Sequence, residues 1–490
     1  MPPSTAPSPL PIRTPRLVIA AAAALLALPG QGAETGGTLY ARHCAACHGA
    51  DGGGGQGASL IDAEWRQGGD PEAIASSIAR GFPDQGMPGF APLLSDAEIH
   101  ALAAHVVNLH PGGGEAVIRN PLAVPGPGFP EGRVRSAVHD FRVETVAELT
   151  PSYGLASLPD GQLLVTEISG ALRVIANGKL VEAPVAGTPG GTPRAGFRRQ
   201  LLDVAIHPDY RRNGWIYLGA VDAGADEGID VLTLHRGRLR EGRWVDDQVL
   251  LRLDSIGAGA KIAFDADNHL YLSSPIMSQP PVSDPDFGHP RAASSQAQDL
   301  ASPHGKILRL NDDGTVPEDN PFVGRQGANP YVWSLGHRAP LGIAFDASGN
   351  LWATENGPRG GDELNRILPG KNYGWPLISW GHRYDDQPAS LPTAMAGLEL
   401  PVLSWVPSIA PSAITLYRGD AFPRWRGNLL MGTLRPRDLY RLVLDGTEVV
   451  LSERLLRNGD RVRDLEVDAE GMVYLLTDDG KVLRLVPADL

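Results

Sequence analysis

A short apolar run, a turn rich in Pro, Asp or Gly, and a second apolar run recur six times in the latter two thirds of the chain. The pairs are Leu155–Leu158 with Leu163–Val165, Val204–Ile206 with Trp215–Leu218, and Ile262–Phe264 with Leu270–Leu272. They continue with Ile343–Phe345 and Leu351–Ala353, Ile414–Leu416 and Leu429–Met431, and Leu465–Val467 and Val473–Leu476. Each pair reads as a hairpin. One hairpin cannot bury its apolar faces alone, so repeated units must pack on one another. Six of them over residues 136–490 predict a six-bladed β-propeller. A β-sandwich or barrel is the alternative, but the uneven insertions between units suit blades better. The 59 glycines and 43 prolines agree with many turns and short strands.

Upstream lies Cys44-Ala45-Ala46-Cys47-His48, the c-type haem attachment pattern. Two thiols can add to the vinyl groups of a haem, and His48 then stands beside the iron. The motif uses both cysteines of the chain. A closed zinc site would need four ligands, and there is no second cysteine pair to complete one. A redox C-x-x-C would want a βαβ setting, which is missing. Met87, between Gly86 and Pro88, is the expected second iron ligand. Ser95 and Glu98 form a capping box ahead of Ile99, Leu102, Val106 and Leu109 at helical spacing. Residues 34–112 therefore resemble a small, all-α class I cytochrome c domain.

Arg13 and Arg16 precede an apolar run from Leu17 to Leu28 that is short for a membrane span. With small residues near position 33 it reads as a signal peptide over 1–33, the alternative being an uncleaved anchor. Haem attachment of this kind implies a periplasmic or secreted protein, with no membrane span once the signal is removed. A net charge of −13 argues against nucleic acid. Pro and Gly dominate parts of residues 113–135, which read as a semi-rigid linker.

The propeller segments resemble the glucose/sorbosone dehydrogenase family. The resemblance rests on Leu201–Asp209, Gln298–Leu300 and Gly305–Arg309. It is densest from Ser334-Leu335-Gly336-His337-Arg338 through Glu355–Pro358, Asp362-Glu363 and Asn372–Pro376. It implies a soluble propeller that oxidises aldoses with pyrroloquinoline quinone (PQQ) and calcium. Arg338, Arg435, Arg461 and Arg463 match the family's cofactor contacts, and guanidinium suits the three carboxylates of PQQ. Arg461 and Arg463 should share one face of a strand. Glu363 and Tyr373 match calcium contacts, with carbonyls from Gly357 and Pro358 beside them. As the alternative, Asp362 and Glu363 are a loop acid pair without metal.

The chain departs from the family in several places. The position of its catalytic His is Gly257, an Asn that should follow Arg338 is Ala339, and a substrate-side Gln is Arg198. The Gly-Asp expected after the third-blade strand is lost around Ser274-Pro275. The reading is an exported quinohaemoprotein that oxidises an aldose or related alcohol and passes electrons through its own haem to a respiratory acceptor. Two alternatives stand beside it: a haem electron-transfer protein with a degenerate, non-catalytic propeller, and a calcium-dependent propeller lactonase.

Overall fold

The computed structural model describes residues 36–49, 52–53, 60–61, 71–82, 87–109, 127–130, 132–190, 201–223, 230–253, 260–276, 296–358, 360–381 and 391–488. The segment read as a signal peptide lies outside them, as do Arg198, Gly257 and residues 113–126. The chain divides into two compact units, Met1–His110 and Pro111–Leu490.

The first unit is helical: α1 Gly36–His43, α2 Ala45–His48, α3 Pro71–Arg80 and α4 Asp96–Leu109. Leu39 and Tyr40 of α1, Ile74 and Ile78 of α3, and Ile99, Leu102 and Val106 of α4 form one buried core. Helix α1 crosses α4 closely at Gly36, where an added Cβ would lie 2.1 Å from the Ala101 carbonyl oxygen. The capping box forms as expected. Ser95 donates its N–H (2.8 Å) and hydroxyl (2.7 Å) to Glu98, and the Glu98 N–H reaches back to Ser95 Oγ (3.4 Å).

The second unit is a ring of six antiparallel sheets. Every predicted hairpin is the first and second strand of a blade. The innermost strands are Ser152–Ser157, Leu201–Ile206, Ile262–Phe264, Pro340–Phe345, Pro411–Leu416 and Val462–Val467, each packed on the next and the last on the first. The ring closes by a strand exchange. Asp140–Glu148, from the start of the unit, pairs with the chain's last strand, Lys481–Pro487, and completes the blade begun at Val462. Arg133–Arg135 adds an outer fifth strand, and Phe129 packs on the same core. These residues were expected to be linker; they belong to the propeller because a Phe and a strand edge are better buried than solvated.

Aromatic side chains fill the seam beside the closing blade. Phe422 stacks on Trp425 (centroids 4.2 Å), and Phe141 of the exchanged strand meets Trp425 edge-on (5.7 Å). Around the axis the contacts are polar. Lys261 Nζ donates to Asp203 Oδ1 (2.8 Å) and to Asp464 Oδ1 (2.7 Å). Both carboxylates also accept main-chain N–H groups from the adjoining blade, Asp203 from Ile262 and Asp464 from Leu155. One ammonium thus ties three blades together below solvent.

Removing one partner of a buried ion network strands the others without compensation, at a cost of about 3–5 kcal/mol. Lys261→Ala is therefore expected to destabilise the propeller by that amount in equilibrium urea unfolding. A loss below about 1 kcal/mol, the range of an exposed pair, would contradict a role for the triad in holding the ring.

Candidate functional site

In a propeller with one strand direction at its centre, all first strands begin at the same end. Arg338, Lys261 and Arg461 immediately precede first strands; Gly357, Pro358, Arg435 and Asp478 follow second strands that run back to that end. The topology therefore gathers the residues singled out in the sequence at one mouth of the channel.

Around Arg338 the arrangement is a wired acidic recess. Glu355 and Glu363 are directly paired across neighbouring strands. Glu355 is spoken for: its Oε1 accepts the Arg338 N–H, and its Oε2 meets His337 Nδ1 (2.9 Å), whose Nε2 faces Ser334 Oγ (2.8 Å). His337 stacks on Tyr373 (4.7 Å). The Arg338 guanidinium donates to the Asn356 carbonyl (2.8 Å) and lies 5.4 Å from the Trp375 ring centre. Arg338, Glu355, Glu363, Gly357 and Tyr373 line one narrow recess.

Glu363 receives one side-chain hydrogen bond, from Asn365 Nδ2 (2.9 Å). Although it lines the recess, its depth, and then the Glu355 charge, push its carboxyl up to about 8. Nearby, Oδ1 of Asn356 and of Asn365 are buried with no hydrogen-bond partner. Beside the Arg338 guanidinium the recess is rich in oxygen acceptors, which fits a hard, oxygen-seeking cation. Among the described residues no three His, Cys, Asp or Glu side chains cluster as a metal site, so main-chain and amide oxygens would have to share the work. Tyr373 departs from the simplest expectation. Its hydroxyl donates to the Arg366 carbonyl (2.5 Å) and accepts from the Leu368 N–H (2.9 Å), so an oxygen it lends to a cation has to be the main-chain one. Gly357 is forced by packing, since a Cβ there would lie 2.2 Å from the Gly360 carbonyl oxygen.

Two carboxylates take roles that the sequence did not show: Asp362 was read only with Glu363, and Asp478 was not singled out. Asp362 takes the N–H groups of Gly357 (3.0 Å), Ile409 (2.7 Å) and Ala410 (2.6 Å) and the Ser408 hydroxyl (2.7 Å). It ties the loop after Glu355 to the next blade and is not free for a metal. Asp478 joins the two arginines expected to share a strand face: Arg461 Nε donates to its Oδ2 (2.6 Å) and Arg463 Nε to its Oδ1. Arg463 Nη2 is buried without a partner, a donor left for an anion. Arg435 is exposed and near solvent. These donors fit a polycarboxylate.

In the helical unit Cys44 ends the turn after α1 and Cys47 lies within α2, so both thiols and His48 issue from one short stretch. Both cysteines are free; Cys44 is half-buried and Cys47 exposed. Burial, and then Cys47, push the Cys44 thiol up to about 11. Met87 pairs with Phe82 in a tight bridge, N–H to O in both directions (2.8 and 3.1 Å). The stretch Pro88-Gly89 lies hard against the end of α3: a Cβ on Gly81 would sit 2.4 Å from Gly89 N. Two thiols, an adjacent imidazole and a loop-held thioether are the donor set of a tethered haem.

The family model described as Glucose / Sorbosone dehydrogenase matches residues 149–484. The model described as Cytochrome C oxidase, cbb3-type, subunit III matches residues 31–106. The chain is 34% identical to the aldose sugar dehydrogenase YliI of Escherichia coli, over 69% of this chain and 91% of that protein. A crystal structure of a glucose dehydrogenase superposes with a TM-score of 0.63 at 37% identity, covering 70% of this chain and 98% of that one. The PQQ-bound aldose sugar dehydrogenase of Streptomyces coelicolor superposes with a TM-score of 0.56 at 26% identity, covering 73% and 99%.

Glu363 holds its proton more tightly folded than unfolded, because its pKa is raised from the ordinary carboxylate value. The stability this gives is complete below that ordinary range and is lost as pH rises through about 8. The melting temperature of the metal-free protein should fall across that window, and Glu363→Gln should flatten the fall. An unchanged profile would remove Glu363 from the account. In the helical unit, Met87→Ala should leave haem attached but lower its potential in a redox titration, since only one axial ligand is lost; an unchanged potential would place that ligand elsewhere.

Proposed function

The chain belongs to the glucose/sorbosone dehydrogenase family and carries an N-terminal cytochrome c domain; from that premise we propose that it is an exported quinohaemoprotein oxidising an aldose or related alcohol. Bound PQQ would supply a two-electron acceptor and bound haem c a one-electron carrier to a respiratory partner. The observation that carries the reading is the mouth of the channel, where a cationic cluster with an unpartnered buried donor stands at the same end as an acceptor-rich recess.

The residues divide the labour. Arg461, Arg463, Arg338 and Arg435 would hold the carboxylates of PQQ, charge-assisted and directional. Glu363, with main-chain oxygens of Gly357, Pro358 and Tyr373, would hold calcium. Asp362 keeps the loop that offers those carbonyls in place. Thioether bonds from Cys44 and Cys47 would tether the haem, with His48 and Met87 on the iron. The apolar run ahead of the helical unit supports export to the periplasm.

The substrate hydroxyl must lose a proton as it is oxidised, and a positioned base contributes about 10²–10⁴-fold. Gly257 supplies none. That substitution and Ala339 favour a second reading, a haem electron-transfer protein whose propeller has lost its chemistry.

Reconstitution with PQQ and calcium followed by dye reduction on aldose addition separates the two. We expect slow turnover that climbs steeply toward alkaline pH as hydroxide replaces the base, and Gly257→His should raise the rate and bring in a titration near about 6.5. No aldose-dependent turnover at any pH, with PQQ bound, would leave the second reading.

A further inference from the structure

Arg461 and Arg463 meet one carboxylate at the channel mouth. Asp478 is 2% exposed and stands just past the strand Val473–Thr477. Its Oδ2 accepts from Arg461 Nε (2.6 Å) and its Oδ1 from Arg463 Nε. Its own N–H donates to the Arg461 carbonyl (3.0 Å), so the carboxylate is anchored by the main chain it organises. Arg461 Nη1 also donates to the Leu434 carbonyl (3.2 Å). Arg463 is 3% exposed, lies 5.5 Å from the Tyr153 ring centre, and keeps Nη2 buried without a partner.

A guanidinium carries its donors in a fixed plane and can grip a carboxylate side-on, through Nε and one η nitrogen, or end-on, through both η nitrogens. Asp478 occupies Nε of both arginines, so the side-on grip is closed in each. We infer that Asp478 is the positioning residue of this anion site: it fixes both guanidinium planes through Nε and aims the η end of Arg463, Nη2 above all, at a ligand carboxylate. The identity of that ligand as PQQ rests on the function proposed above; the fork itself does not.

Charge and geometry give opposite expectations. Removing the Asp478 charge makes the mouth more positive, which by Coulomb attraction alone should tighten anion binding. Releasing the two planes, and leaving two cations side by side, should weaken it. Asp478→Asn keeps the shape, and Arg463→Lys keeps the charge while removing the planar fork. The full-length protein, before quinone is added, is titrated calorimetrically with PQQ and separately with pyridine-2,3-dicarboxylate. The exchange of the Arg461 and Arg463 Nε protons is followed by NMR. We expect both variants to bind about tenfold or more weakly, the scale of one charge-assisted bond, and the Nε protons to lose protection in Asp478→Asn. Unchanged or tighter binding by Asp478→Asn overturns the inference, and wild-type affinity in Arg463→Lys does so even where Asp478→Asn fails to fold. If the wild type binds the dicarboxylate but not PQQ, and the variants weaken it, the quinone reading fails and the fork stands. If it binds neither, both fall.

Discussion

Six wedge-shaped sheets can surround a channel only if the last is tied to the first. Here the tie is the ladder between Asp140–Glu148 and Lys481–Pro487, two strands from opposite ends of the unit. It removes two open edges at once and converts a row of hairpins into a ring. The aromatic seam of Phe141, Phe422 and Trp425 adds apolar burial to that ladder. The Lys261 triad then binds three inner strands at the axis.

Closure also creates the site. Once the ring is complete, the starts of all first strands share one mouth, and residues remote in sequence become neighbours. Arg463 lies on the closing blade, yet both it and Lys261 stand over the same Tyr153 ring. The carboxylates at this mouth each have partners: Asp478 two arginines, Asp203 and Asp464 the Lys261 ammonium, Glu355 the His337 ring and the Arg338 main-chain N–H. Glu363 and Arg463 Nη2 stand apart from that pattern, one pushed toward its neutral form and the other unpartnered.

Much of this was legible in the chain because it is local. The inner hairpins are continuous apolar runs around a turn and were read where the structure places them; the haem motif is legible because it is contiguous. The outer strands were not, because sequences such as Arg243–Leu253 are half-exposed and charged and lack a clean period. The exchanged strand Asp140–Glu148 carries no local sign of a partner at the far end of the chain. Arg461 and Arg463 could be paired by their alternation, but Asp478 looks like an ordinary turn acid in Thr477-Asp478-Asp479-Gly480 until the blade folds back. Asp362 was read with Glu363 as one acid pair, whereas alternation along the strand sends one to main-chain amides and the other to the recess.

The central claim is that oxidation at the propeller feeds the haem of the same chain. Full-length protein loaded with PQQ and calcium should be mixed anaerobically with aldose while the reduced haem band is followed over a range of protein concentrations. The account predicts haem reduction at a rate independent of protein concentration. A haem that stays oxidised while an added dye is reduced, or a rate that rises in proportion to concentration, would contradict it.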